Sequence, residues 1–160
     1  MQIRKMVETD IDMVCQIAQK NNQIVNQHVI PVAMQQDFLQ LVYQPTRIKQ
    51  RMKNSLFFVL EVNGQITGFA HFSYVNKQGN SELLAMYVEK EYQRRRLGTQ
   101  LLQIAKEELH GIESMTVHVG ASQVGAISFL QANSFRCEAT VLEQVEGILL
   151  RTKRLKWCIN

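Results

Sequence analysis

Met86-Tyr87-Val88-Glu89-Lys90-Glu91-Tyr92-Gln93-Arg94-Arg95-Arg96-Leu97-Gly98-Thr99 is the stretch on which the reading of this chain turns. A strand, Glu82–Val88, ends in it, a short loop crosses three arginines, and a helix opens near Gly98. That helix places Leu101, Leu102, Ala105 and Leu109 on one side and Lys106, Glu107 and Glu108 on the other. The first amides of a helix have no internal acceptor and sit at the positive end of its dipole. A strand–loop–helix is therefore a phosphate cradle, in which glycine permits close approach and arginines add charge-assisted hydrogen bonds. The same residues also suit an ordinary turn with solvated arginines.

Working outward toward the N-terminus, Leu56–Val62 and Gln65–Val75 read as strands joined by Asn63-Gly64, a strong hairpin signal. Asn76–Asn80 is a polar turn. Ile3–Val7 reads as a first strand, and Thr9 with Asp12 as the cap of a helix running to Asn21 or Asn22. Phe38, Leu41 and Val42 suggest a helical face before Pro45, and Ile48 and Met52 a second piece after it. Toward the C-terminus, Ser114–Val119 is a strand and Gln123–Asn133 a helix. Phe135–Val145 and Ile148–Trp157 form a closing hairpin around Gly147.

Glu82–Val88 and Ser114–Val119, separated by one helix, must be parallel neighbours through a crossover, while the hairpins are antiparallel. One mixed α/β (α+β) sheet with helices on both faces follows.

The 160 residues are the size of one domain, taken as 1–160, and 46% apolar with 20% charged residues fits a globular core. No apolar run approaches the roughly 18 residues of a membrane span. The N-terminus carries acidic residues where a signal peptide needs an apolar stretch, so a cytoplasmic location is expected. A net charge of +4 mildly favours an anionic partner and suits a phosphorylated cofactor as well as nucleic acid. It concentrates at Arg94–Arg96 and at Arg151, Lys153, Arg154 and Lys156, where a solvated or edge-protecting role outweighs nucleic-acid contact. Cys15, Cys137 and Cys158 are odd in number and read as plain thiols. His28, His71, His110 and His118 have no metal-ligand spacing, and no metal is expected. His118, mid-strand, is read as facing the side of the sheet.

The layout resembles the GNAT N-acetyltransferases, whose signature is Gln/Arg-x-x-Gly-x-Gly/Ala after a strand commonly ending Leu-Tyr-Val. Gln93 matches the first position, Gly98 the last and Met86-Tyr87-Val88 the strand end, while Arg96 stands at the middle glycine. An Arg96 already in helical conformation keeps the cradle. Val117-x-Val119, Gln123-x-x-Ala126-Ile127-x-Phe129-Leu130 and Asn133-Ser134-Phe135 resemble the family's second pattern, Asn-x-x-Ala-x-x-Phe-Tyr-x-x-x-Gly-Phe. The two motifs and the Asn63-Gly64 hairpin cover residues 56 to 136.

The resemblance implies an acetyl-CoA-dependent N-acetyltransferase with its co-substrate between strands 82–88 and 114–119. Pantetheine would bond the edge Met86, Tyr87, Val88, and the pyrophosphate the loop Gln93, Arg94, Arg95, Arg96, Leu97, Gly98, Thr99, with Gln123 beside it. A backbone amide near Val88 would hold the oxyanion. Glu82 would be the base that frees a primary amine of a small molecule or peptide for direct attack in a ternary complex. Leucine at 130 replaces the usual tyrosine acid, leaving Tyr87, Tyr92 or Ser128 as substitutes. A weakly catalytic acyl-CoA-binding or sensing domain and a protein N-acetyltransferase are the alternatives. The terminal hairpin offers an edge for a homodimer.

Overall fold

The structure, a computed structural model, describes residues 1–26, 41–145 and 147–160. Phe38, Pro31 and His28 lie outside the described residues. Seven strands form one sheet: β1 (Gln2–Lys5), β2 (Ser55–Val62), β3 (Gln65–Ser73), β4 (Asn80–Val88), β5 (Ser114–Gly120), β6 (Arg136–Val145) and β7 (Ile148–Cys158). Their order is β1-β2-β3-β4-β5-β7-β6. β4 and β5 pair in parallel, and every other neighbouring pair is antiparallel. The helices are α1 (Ile11–Asn26), α2 (Pro45–Asn54), α3 (Leu97–Glu108) and α4 (Val124–Ala132).

Local chemistry explains most of the joints. Asn63 and Gly64 both hold positive φ, 51° and 77°, as a tight primed turn between β2 and β3 requires. In the next turn the Asn76 side chain accepts from the amides of Gln78 and Asn80. The entry to α1 differs from the sequence expectation. Thr9 is not its cap; a 3-10 turn, Glu8–Asp10, precedes the helix, and the buried Asp10 carboxylate accepts from the Val7 amide at 2.9 Å. Both Asp10 oxygens also accept from the Arg4 guanidinium, which reaches Glu61 as well, so β1 and β2 fix that turn. The Arg4 bond, first among the causes, holds the Asp10 carboxyl below the usual carboxylate range.

The apolar run Leu56–Leu60 is buried on both sides of the sheet, which is why it lacks clean alternation. Phe57, Val59 and Phe69 pack under α1 and α2 with Val14, Ile17, Ala18 and Ile48. Phe58, Phe72, Leu83, Met115, Val117 and Leu155 pack under α3 and α4 with Leu101, Leu102, Ala105 and Leu130.

The feature that positions the site is where β4 and β5 stop pairing. They are in register only from Asn80↔Ser114 to Leu83↔Val117. Asn80 pins that closed end, donating to Thr116 Oγ1 and accepting from Ser114 Oγ, while the Gly79 carbonyl takes the amides of Glu113 and Ser114. Immediately beyond, β4 bulges: Phe72 faces Leu83 and His71 faces Ala85, leaving Leu84 extra. A bulge bends and twists its strand, so β4 leaves β5 at Leu84.

Candidate active site

The divergence opens a notch of about 230 Å³ between Leu83–Tyr87 of β4 and Val117–Gly120 of β5, with Gln123, Ala126, Phe129 and Leu130 of α4 on one side. Leu130 is buried, and leucine presents no hydroxyl there. Among the described residues, the strand edges beyond Leu83 and Val117 have no strand partner across the gap. Gln123 caps α4 and folds its side chain over Gly120, whose added Cβ would lie 3.1 Å from Nε2.

A 3-10 turn, Lys90–Tyr92, leads from β4 to the arginine loop. The Gln93 side chain donates to the Val88 carbonyl at 2.8 Å, so it ties the loop back to the strand end. Arg94 and Arg96 both hold φ near 60°, with Arg95 between them outside the left-handed region. Arg96 is therefore not already helical: it supplies the left-handed step that glycine would otherwise make, and caps α3. That conformation costs a non-glycine residue about 1–2 kcal/mol. Free amides at such a helix start suit an anion. The first helical bond in α3 runs from the Gln100 amide to the Arg96 carbonyl, and the amides of Arg94 through Thr99 have no acceptor among the described residues. The three arginine side chains are exposed, whereas Leu97 is buried and offers only its backbone. Arg95 lies over the Tyr92 ring at 5.5 Å.

Gly98 also has a packing role. A Cβ there would stand 2.9 Å from Phe129 Cζ, so the missing side chain admits that ring and lets the start of α3 close on α4. The Gly98 amide, like those of its neighbours in the loop, has no acceptor among the described residues.

Glu82 is half-buried and stands in a row with Thr116, Lys156 and Arg136 across four strands. Strand alternation puts it on the face opposite Leu83, the face that carries α1 and α2. Its register is one step inside the last β4–β5 pair, and it does not border the notch. His118, two residues beyond Thr116 on that same face, does. His118 was read from the sequence as facing the side of the sheet and given no role at the site, although Val117-x-Val119 alternation sets it opposite two core valines.

The sequence profile of the Acetyltransferase (GNAT) family matches residues 15–135. The chain belongs to that family. Solved structures share its fold at low identity. They include an N-acetyltransferase, PaiA, from Thermoplasma acidophilum in complex with coenzyme A, at 17% identity, covering 99% of this chain and 98% of that one with a TM-score of 0.84. Another is smu.2055 from Streptococcus mutans UA159, at 22% identity, 99% of each chain and a TM-score of 0.79. The ribosomal-protein-S18-alanine N-acetyltransferase of Escherichia coli follows at 20% identity, 99% of this chain and 93% of that one, with a TM-score of 0.69. No curated protein sequence matches the chain significantly.

Three hydroxyls were candidates to replace the acid absent at Leu130 of this GNAT chain. Ser128 is exposed, Tyr92 lies under Arg95, and neither lines the notch. Tyr87 does border the notch, but its hydroxyl lies 3.3 Å from that of Tyr43 on the α1–α2 side. The basic C-terminal strand of the GNAT sheet is not one patch either. Alternation along β7 sends Arg151 and Lys153 to one face and Arg154 and Lys156 to the other, and Arg154 pairs with Glu138 at 3.3 Å.

A second, more open hollow of about 440 Å³ lies beside the notch. Arg47, Gln50, Arg51 and Asn54 of α2 line it with Ser55, His71, Ser73 and Leu84, and Leu84 borders both cavities. His71 is buried, stacked on Phe57 with ring centres 3.8 Å apart, and its Nε2 is 2.7 Å from Ser55 Oγ. Burial, with Arg51 repelling as a smaller cause, pushes His71 down to about 3, so the imidazole is neutral at pH 7.

Among the described residues, no three His, Cys, Asp or Glu side chains gather as a metal site, and no helix is long and apolar enough to cross a membrane. Burial pushes the Cys15 thiol up to about 11, which removes it as a thiolate nucleophile, while Cys137 and Cys158 are exposed free thiols.

Proposed function

We propose that the chain transfers an acetyl group from acetyl-CoA to a primary amine of a small molecule or peptide, by direct attack within a ternary complex. The observation that carries this reading is the run of unsatisfied amides, Arg94 to Thr99, at the mouth of a notch between two splayed parallel strands. Acetyl-CoA supplies a thioester, an acyl group already activated toward an amine. The amides of Arg94 to Thr99 hold its pyrophosphate, and the arginine side chains beside them add charge-assisted bonds. The strand edge Met86, Tyr87, Val88 offers backbone partners to the pantetheine amides, and Gln123 closes the far wall. Coenzyme A in the solved Thermoplasma relative supports the cofactor half of this assignment.

The acceptor approaches from the α1–α2 face, where Glu82 and His118 stand. An amine attacks only when neutral, so a base must take its proton. Glu82 lies behind the notch and receives that proton through water, with His118 between it and the opening. Leu130 has no proton to give, so the chain leaves protonation of the departing thiolate, of intrinsic pKa about 8.5, to solvent.

Calorimetric titration with acetyl-CoA tests the cofactor, and thiol release across a panel of amines tests the reaction. Saturable binding and amine-dependent release are expected, and no heat at high micromolar acetyl-CoA would sink the reading. The buried Leu130 favours a second reading, a weakly catalytic acyl-CoA sensor. Tight binding with no amine giving release above background would establish it instead.

A further inference from the structure

The hollow beside the notch is lined by a buried ring, His71, whose Nδ1 has no hydrogen-bond partner among the described residues. We infer that His71 selects the acceptor substrate: Nδ1 accepts a hydrogen bond from a hydroxyl or amide N–H that the substrate carries beyond its amine, while the amine reaches past Leu84 into the notch. The inference rests on the acetyltransferase reading and narrows it.

Two side chains fix where the hydrogens lie. A serine hydroxyl has one hydrogen, and that of Ser55 goes to the Arg51 carbonyl at 2.5 Å. Toward His71 Nε2, 2.7 Å away, the same oxygen can then only accept, so Nε2 carries the ring hydrogen. Burial keeps the imidazole neutral, and in a neutral imidazole the second nitrogen is a bare acceptor. The ring is held in place, stacked on Phe57 with the planes 9° apart, and is only 7% exposed. A buried acceptor is costly to leave unmet, so a donor brought to Nδ1 in the hollow is favoured over water-exposed alternatives. An ammonium would have to shed its water at so buried a ring, and the matching donor is therefore neutral. Gln50 and Asn54, across the hollow on α2, are exposed and keep water as a partner.

The sheet sets this nitrogen beside the route to the thioester. His71 faces Ala85 and Phe72 faces Leu83, so the bulge at Leu84 falls opposite the step from His71 to Phe72. A bulge re-aims the side chain of its extra residue. Leu84 is 46% exposed and is the one described residue that borders both hollow and notch. A substrate spanning the two therefore lies against an aliphatic side chain between its amine and its second polar group, which suits a short carbon chain there.

The test compares each amino alcohol from ethanolamine to 6-aminohexan-1-ol with its methyl ether, which has the oxygen but no hydrogen to donate. At the length that spans hollow and notch, kcat/KM for the alcohol should exceed that for the ether about fivefold, the size of one neutral hydrogen bond net of water. Carboxamides against N,N-dimethylcarboxamides of the same chain lengths separate an amide N–H from a hydroxyl as the donor, and a preference in either pair supports the inference. His71→Phe keeps the stack on Phe57 and should abolish the preference while acetyl-CoA titrations stay unchanged. Should that variant not fold, the nitrogen-15 spectrum of the wild type with coenzyme A bound serves instead. Its His71 Nδ1 resonance should move upfield with the preferred donor and stay in place with the blocked analogue. Equal rates in both pairs at every length, a preference that survives in His71→Phe, or an unmoved Nδ1 resonance would overturn this inference alone. Absence of acetyl-CoA binding would remove the parent reading and this inference with it.

Discussion

Mild acid should destabilise this protein through one side chain, His71. Its imidazole is sandwiched against Phe57, and its Nε2 meets a Ser55 hydroxyl that itself donates to the Arg51 carbonyl. That hydroxyl is left to accept from Nε2–H, which suits the neutral ring. Burial first and Arg51 second hold the folded imidazole down to about 3, against an ordinary value near 6.5. The unfolded chain therefore binds the extra proton between those limits and the folded chain does not, so stability is full above pH 6.5 and falls with pH through the window. From pH 7 to pH 4.5 the loss is close to two pKa intervals, about 2.5 kcal/mol, a large part of the 5–15 kcal/mol typical of a domain. Asp10, also held below its ordinary range, stays ionised at pH 4.5 and contributes little to the difference. Urea unfolding of the wild type and His71→Gln at the two pH values measures it. The variant starts lower at pH 7 because it loses the ring stack, but the wild type should lose about 2.5 kcal/mol more on acidification. Equal losses in the two proteins would refute the reasoning.

Three further outcomes follow from the site. Arg96→Gly should raise stability by about 1 kcal/mol in denaturant melts by relieving the left-handed backbone, whereas Arg96→Ala should not. Glu82→Gln should lower thiol-release turnover more than acetyl-CoA affinity and flatten the acid limb of the pH–rate profile; an unchanged profile removes Glu82 as the base. Gly98→Val drives a branched side chain into Phe129 and Met86, and should cost about 1–3 kcal/mol in thermal or urea melts. It should also weaken acetyl-CoA in calorimetry by moving α4, and wild-type affinity in a destabilised variant would show that the contact serves packing alone.

Much of the molecule is local and hence legible in the chain. Asn63-Gly64 specifies its turn because two successive residues must hold positive φ, and the spacing of Leu101, Leu102, Ala105 and Leu109 specifies the buried side of α3. The crossover from β4 to β5 follows from one intervening helix. The family motifs located the loop, and Gln93 to Thr99 form one continuous structure after β4. Arg96 was harder, since no local rule says whether an arginine there is helical or left-handed. The Asp10 carboxylate, held by Arg4, takes the Val7 amide in a 3-10 turn ahead of the helix, and so displaced the cap expected at Thr9.

The chain by itself determined the strands, the helices and the place where a helix start meets a run of arginines, since each depends on neighbours a few residues apart. Tertiary structure alone decided where β4 leaves β5, because that depends on the Leu84 bulge against β3 and on the pins from Asn80 and Gly79. It also decided that β7 lies between β5 and β6, that Phe129 fills the space Gly98 leaves, and that Glu82 sits behind the notch while His118 borders it. The hollow under α2 belongs with these. Arg47 and Arg51 lie one turn apart on α2, and only packing of Ile48 against the sheet turns them toward that hollow.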